Sequence, residues 1–163
     1  MRNPEFILNK IYTLPELQKQ VARWTILGKT TVFTNGCFDI LHQGHIFSLS
    51  QAAKEGDFLI VGVNADASVR KLKGSNRPVN GQASRTLLLA SLVMVDAVIV
   101  FEEDTPLHLI STLLPNVLVK GGDYTLDQIV GAREVMEHGG KVIINAIEEG
   151  FSTTGILEKI HKL

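Results

Sequence analysis

Two histidines three residues apart, His42 and His45, enclose Gly44 within the stretch T-V-F-T-N-G-C-F-D-I-L-H-Q-G-H at Thr31–His45. That spacing puts both imidazoles on one face of a first helical turn. Three roles compete for such a pair. A zinc site needs a third and fourth ligand, but Cys37 is the only nearby thiol, and His108, His138 and His161 fall in unrelated helical segments. A purely structural pair is the simplest alternative. Phosphate contact is favoured, because Gly44 removes a side chain where a phosphate must approach backbone and the pair stands at a strand–loop–helix junction.

A phosphate site of this kind needs cations to meet the charge that develops during phosphoryl transfer, and position alone can supply them. From Ala67 to Val95 there is no Asp or Glu, yet Arg70, Lys71, Lys73, Arg77 and Arg85 all fall there. A solvated basic face is the alternative to a lid over polyphosphate, and the clustering beside two glycines favours the lid. Lys120-Gly-Gly-Asp123 reads either as close backbone approach or as an ordinary turn. Ser152-Thr153-Thr154 reads equally as an N-cap and as a second anion or ribose site. Cys37 reads as a small packing residue, and Asp39 as a turn former or a Mg²⁺ ligand.

The elements that must position these residues follow from periodicity. Thr13-Leu-Pro-Glu16 is a capping box, after which Leu14, Leu17, Val21 and Trp24 recur at helical spacing up to Gly28. Trp24 is expected to be a core or interface residue. Thr31–Phe33 predicts a strand and Ile46–Lys54 a helix; Asp57–Val63 is a continuous apolar run, as for a strand covered on both faces. Asn64-Ala-Asp66 predicts an N-cap, Gly74–Ser84 a loop, Arg85–Leu92 a helix and Ala97–Phe101 a strand. Thr105-Pro106 opens a helix, Asn116–Val119 is a strand, and Thr125-x-x-Gln128 opens a helix running to Gly139-Gly140. Lys141–Asn145 is the fifth strand, and Ser152–Thr154 caps a final helix with Ile156, Leu157, Ile160 and Leu163 on its apolar face.

Strand and helix therefore alternate five times. This order predicts an α/β, Rossmann-like five-stranded parallel sheet with helices on both faces and ligands at the carboxyl ends of the strands. The 163 residues suit one domain, with an N-terminal helical segment at 1–28 and the core and C-terminal helix at 29–163. A net charge of −1 with one local basic stretch suits a small polyanion better than a nucleic acid. A single cysteine, no apolar signal core in M-R-N-P-E-F and no run of membrane-spanning length lead to the expectation of a cytoplasmic protein without a membrane partner.

With these residues in place, the chain resembles the nucleotidyltransferase superfamily of cytidylyltransferases and adenylyltransferases that carry an H-x-G-H motif. The resemblance rests on G-C-F-D-I-L-H-Q-G-H at Gly36–His45 and S-T-T at Ser152–Thr154. It is similar above all to the heptose 1-phosphate adenylyltransferase branch of ADP-heptose synthesis. The supporting stretches are V-N-A-D-A-S-V-R-K-L-K-G at Val63–Gly74, R-P-V-N at Arg77–Asn80, F-E-E-D-T-P at Phe101–Pro106 and L-V-K-G-G-D-Y at Leu118–Tyr124. The glycerol-3-phosphate cytidylyltransferase branch typically has R-T-E-G-I-S-T-T before the last helix. This chain has I-E-E-G-F-S-T-T, with Ile147 in the arginine position, and Lys120-Gly121 where that branch has Met-Gly.

The resemblance implies transfer of AMP from ATP to a sugar 1-phosphate, D-glycero-β-D-manno-heptose 1-phosphate, with Mg²⁺, a homodimer, and a heptose kinase on a separate protein. His42, His45 and Lys73 would act on the reacting phosphates. Thr34, Asn35, Gly36, Cys37, Phe38, Gly44, Lys71, Arg85, Lys120, Gly121, Asp123, Ser152, Thr153 and Thr154 would hold the nucleotide, and Asn64, Asp66 and Arg77 the acceptor. A CTP-dependent enzyme acting on glycerol 3-phosphate or a similar small phosphate, and an ATP-binding regulatory domain without chemistry, are the alternatives.

Overall fold

A computed structural model of the chain describes residues 4–146, 150–160 and 162–163. Its centre is the strand that leads into the histidines, β1 (Thr31–Gly36). This strand is longer than the apolar run predicts, because Thr34, Asn35 and Gly36 continue in register with β2 (Phe58–Asn64). Outward from β2 lies β3 (Ala97–Phe101), and on the other side of β1 lie β4 (Val117–Gly121) and β5 (Lys141–Asn145), giving the order β3-β2-β1-β4-β5 with every pairing parallel.

Alternate strand residues point to opposite faces, so each face gathers its own core. Phe33, Ile60 and Leu118 meet α1 (Leu14–Ile26), α5 (Leu107–Leu113) and α6 (Ala132–Glu137) through Leu17, Trp24, Ile110 and Val135. Val32, Leu59, Val61 and Val119 meet α2 (Gln43–Ala53) and α4 (Gln82–Ala90) through Leu49, Ala52, Leu89 and Ala90. Trp24 is a core residue, stacked on Phe58 with ring centroids 4.2 Å apart.

The Thr13–Glu16 capping box forms as expected, with Glu16 accepting the Thr13 N–H at 2.9 Å. Two local expectations are corrected. The N-cap of α3 (Asp66–Lys73) is Ala65, which has no capping side chain; Asn64 instead donates to Ser68 Oγ, and Asp66 accepts from Arg85. The helix expected from Thr125 to Gly139 is broken. Its capping box closes only the 3₁₀ turn Leu126–Gln128, Ile129 is extended, and Gly131 takes a left-handed conformation before α6 begins. Gly131 has no cheap substitute, since a Cβ there would also lie 2.6 Å from Ile110.

The order 3-2-1-4-5 makes the carboxyl end of β1 the point where the chain's connections diverge, and crevices of open α/β sheets form at such a point. Here the crevice also has a local cause. The β1–β2 register runs from Thr31–Phe58 to Gly36–Val63, whereas β1 and β4 register only at Val32–Val117 and Phe33–Leu118. Above Phe33 the two central strands are no longer paired, and space opens between them. No helix among the described residues is long and apolar enough to cross a membrane.

Candidate active site

Beyond Gly36 the chain doubles back tightly. Phe38 adopts a left-handed backbone conformation, φ 48°, which a bulky residue seldom does without compensation. Compensation comes from burial of its ring beneath Gly36, where a Cβ would sit only 3.0 Å from the Phe38 ring, and beside His45 at 5.3 Å between centroids. The loop ends at His42, whose extended backbone occupies the N-cap of α2 and whose carbonyl accepts the His45 N–H at 2.9 Å. No side chain caps this end, so the first amides of α2 and the positive end of its dipole face the crevice.

The two imidazoles are stacked, 3.8 Å between centroids and 24° between planes, and the Nδ1 of each is buried without a hydrogen-bond partner among the described residues. Gly44 has a reason beyond phosphate approach. A Cβ there would lie 3.2 Å from the His42 ring and 3.1 Å from Phe151, so glycine lets the start of α7 (Thr153–Ile160) close over the histidines. Stacked rings do not converge on a metal, and among the described residues no group of three or more His, Cys, Asp or Glu does so. Among those residues the zinc alternative finds no third ligand. His161, with residues 147–149 and hence Ile147, lies outside the described residues.

A cavity of about 440 Å³ opens in front of the histidines. Residues 34–38 of the β1 end form its floor, and His42, Gly44 and His45 one wall. Lys73 from the end of α3, Lys120 and Gly121 from β4, and Ser152, Thr153 and Thr154 from the start of α7 complete it. Ser152 is an N-cap, accepting the Gly155 N–H at 3.0 Å, while the Thr153 hydroxyl donates to the Ile40 carbonyl. Five further wall residues, Ser48, Leu49, Tyr124, Ala146 and Phe151, are absent from the sequence-based assignment. Ser48 follows His45 by one turn on the same face of α2, a spacing that signals it. Tyr124 lies under the Lys120 ammonium at 5.7 Å and Phe151 packs on Gly44, and no spacing announces either.

Other assigned residues fall elsewhere. Arg85 is not exposed to any ligand: its side chain is fully buried, and its guanidinium donates to the carbonyls of Asn80, Cys37 and Asn64 and to Asp66 Oδ1 at 2.7 Å. Asp66 is thereby spent on Arg85. Arg77 pairs through Nε with Asp39 at 2.6 Å, its Nη2 being buried without a partner among the described residues, and Asp39 also accepts the N–H groups of Val79 and Asn80. Burial pushes the Asp39 carboxyl up, but those two N–H groups and Arg77 outweigh it and hold the pKa below the ordinary value. A carboxylate so engaged is a strap for the 77–80 loop and offers a metal ion little. Asp123 is exposed and lines neither cavity at the crevice.

Lys71 also points away from the cavity, to an exposed Asp104 at 3.1 Å. Exposed pairs of this kind contribute little. Lys71→Ala is therefore expected to leave turnover and the Michaelis constant for nucleotide within about twofold of wild type, checked by steady-state kinetics.

Burial, then the neighbouring His42 and Lys73, push the His45 pKa down to about 4, and burial lowers that of His42. Both rings are neutral at pH 7 and present N–H donors rather than full charges. Burial likewise lowers the Lys120 pKa; its ammonium bonds the neutral Asn35 side chain at 3.4 Å. Because His45 binds its proton less readily folded than unfolded, its contribution to stability is present above the unfolded value near 6.5 and is lost as pH falls towards 4. His45→Gln is expected to flatten the acid side of the stability profile across that window, measured by denaturant midpoints against pH.

Neutral donors, two lysines and a helix N-terminus around one cavity match a polyphosphate, and the sequence outside the motif now decides between families. The profile described as cytidylyltransferase-like matches residues 33–159. The chain belongs to the cytidylyltransferase-like family. It is a nucleotidyltransferase by that membership. It is 53% identical over 153 residues to the bifunctional protein HldE of Geobacter sulfurreducens, covering 94% of this chain and 31% of that protein. It is 50% identical to the bifunctional protein HldE of Shigella flexneri, covering 93% and 32%. The chain thus spans about a third of the length of these curated relatives.

Among solved structures, the lipopolysaccharide core biosynthesis protein of Thermoplasma volcanium is 30% identical with a TM-score of 0.60, covering 74% of this chain and 98% of that one. Pantoate-β-alanine ligase of Francisella tularensis, at 16% identity and a TM-score of 0.61 over 94% of this chain and 78% of that one, shares the fold. The expectation of a separate heptose kinase draws no support from relatives that are themselves bifunctional.

Proposed function

We propose that the chain transfers the adenylyl group of ATP to D-glycero-β-D-manno-heptose 1-phosphate, giving ADP-heptose and pyrophosphate for lipopolysaccharide core synthesis. The observation that carries this reading is the stacked His42–His45 pair, with unpartnered buried nitrogens, set at the uncapped N-terminus of α2. The heptose assignment is supported by the HldE relatives and by the lipopolysaccharide core biosynthesis protein.

In the proposed reaction a phosphate oxygen of the acceptor attacks the α-phosphorus in line, a new P–O bond forms, the α–β bond breaks, and pyrophosphate departs with its charge. The nucleophile is already an anion, so no general base is required. The α2 amides and the imidazole N–H groups stabilise charge on the α-phosphate and the leaving group, while Lys73 and Lys120 draw the two anions together. Ser152 and Thr154 would face the nucleotide across the cavity. Mg²⁺ would neutralise the triphosphate. With Asp39 engaged and no cluster of ligating side chains among the described residues, such an ion would be held by phosphate oxygens and water. A cytoplasmic location and a homodimer belong to the same proposal, the latter tested by sedimentation.

The deciding experiment is a pyrophosphate-release assay crossing ATP and CTP with heptose 1-phosphate and glycerol 3-phosphate. Release with ATP and heptose 1-phosphate alone is expected. Release only with CTP would assign the chain to the cytidylyltransferase alternative, and ATP binding without release under any pairing would leave a regulatory domain.

A further inference from the structure

A second cavity of about 470 Å³ lies across the end of β1 from the first and shares with it the wall made by Asn35, Gly36, Cys37, Lys73, Lys120 and Tyr124. It has no histidine and no helix N-terminus of useful length. Its far side carries instead the neutral polar groups of Asn64, Thr105 and Gln128 against apolar Pro106 and Ile129. The one carboxylate in its lining, Asp104, is matched by Lys71 at 3.1 Å, whereas Lys73 and Lys120 make no salt bridge among the described residues. The cavity is therefore cationic at the shared wall, with uncharged polar groups at the other end.

Gln128 is exposed but anchored within its own turn. Its Oε1 accepts the Thr125 N–H at 2.9 Å in the capping box, which fixes the carboxamide and leaves its Nε2 donors for a ligand. The break in the expected helix matters here, because the short 3₁₀ turn ends with Gln128 and Ile129 on the cavity wall rather than inside a longer helix.

Resting on the nucleotidyltransferase reading, we propose that this second cavity is the acceptor subsite, that it takes a phosphorylated polyol with its phosphate at Lys73 and Lys120, and that Gln128 and Thr105 read the hydroxyls. Among the side chains assigned to the acceptor from sequence, Asn64 lines this cavity with its Nδ2 bonded to Ser68, whereas Asp66 and Arg77 line neither cavity. Phosphate at the shared wall brings the acceptor oxygen beside the nucleotide cavity, the juxtaposition that transfer at the α-phosphorus demands.

The test uses Gln128→Glu and Thr105→Val. Glutamate keeps the oxygen that caps Thr125 and replaces the donors with negative charge, so the local fold is retained. Calorimetric titration with heptose 1-phosphate and, separately, ATP is the primary readout. Each variant is expected to weaken heptose 1-phosphate binding by about tenfold while ATP binding stays within about twofold. Unchanged acceptor affinity in both variants, or parallel loss of ATP and acceptor affinity, would overturn the proposal, as would a wild-type protein that binds neither heptose 1-phosphate nor glycerol 3-phosphate. Wild-type protein that binds acceptor selectively through Gln128 yet releases no pyrophosphate would refute transfer and leave this subsite standing.

Discussion

His45→Ala is expected to lower the turnover number by about 10²–10³, the usual scale for removing one preorganised donor from a developing oxyanion. The imidazole is well placed for that role: it is neutral, half-buried, stacked on His42 and beside the first-turn amides of α2. Its Nδ1 has no partner among the described residues, so truncation orphans none of their polar groups and the fold should survive. The Michaelis constant for ATP should change far less than turnover, because the interaction is realised mainly in the transition state. Steady-state pyrophosphate release at saturating ATP, with a denaturation midpoint as control, makes the measurement. Near-normal release by the variant would remove His45 from the chemistry.

Arg85→Ala is expected to cost about 3–5 kcal/mol of folding stability, the range for breaking a buried ion pair from one side. The side chain ties together the carbonyls of Cys37, Asn64 and Asn80 with the Asp66 carboxylate, and so joins the β1 loop, the end of β2 and the start of α4. Lysine cannot replace it, since a single ammonium lacks the planar fork that reaches several acceptors at once. Urea unfolding of the alanine and lysine variants measures the loss. A direct nucleotide ligand would behave oppositely, raising the Michaelis constant for ATP with stability intact.

Residue types announced the alternation of strands and helices well, since a buried apolar run of five to seven residues between capped helices has few other solutions. Lys141–Asn145 and the Thr13–Glu16 box are found as read. Backbone breaks were harder. Gly131 looked like any glycine near a helix, and its left-handed conformation depends on packing against Ile110 that periodicity does not encode. The histidines, the β1 loop, Lys73, Lys120 and the Ser-Thr-Thr cap do converge. The basic stretch was the least legible part. Arg77 and Arg85 read as free cations because no acid is near them in sequence, yet each meets an aspartate contributed from 38 or 19 residues away. Their charge was visible; the partner that neutralises it was a property of the fold.

The brief register between β1 and β4 has a mechanical side. Two rungs at Val32 and Phe33 join the flanks of the sheet, and above them the Lys120 side chain reaches across to Asn35. The midline is thus the least laced seam of the sheet, and both cavities open along it. A ligand lodged there would supply the missing rungs, so that occupancy would slow amide exchange on both flanks together and substrate would act as a temporary part of the sheet.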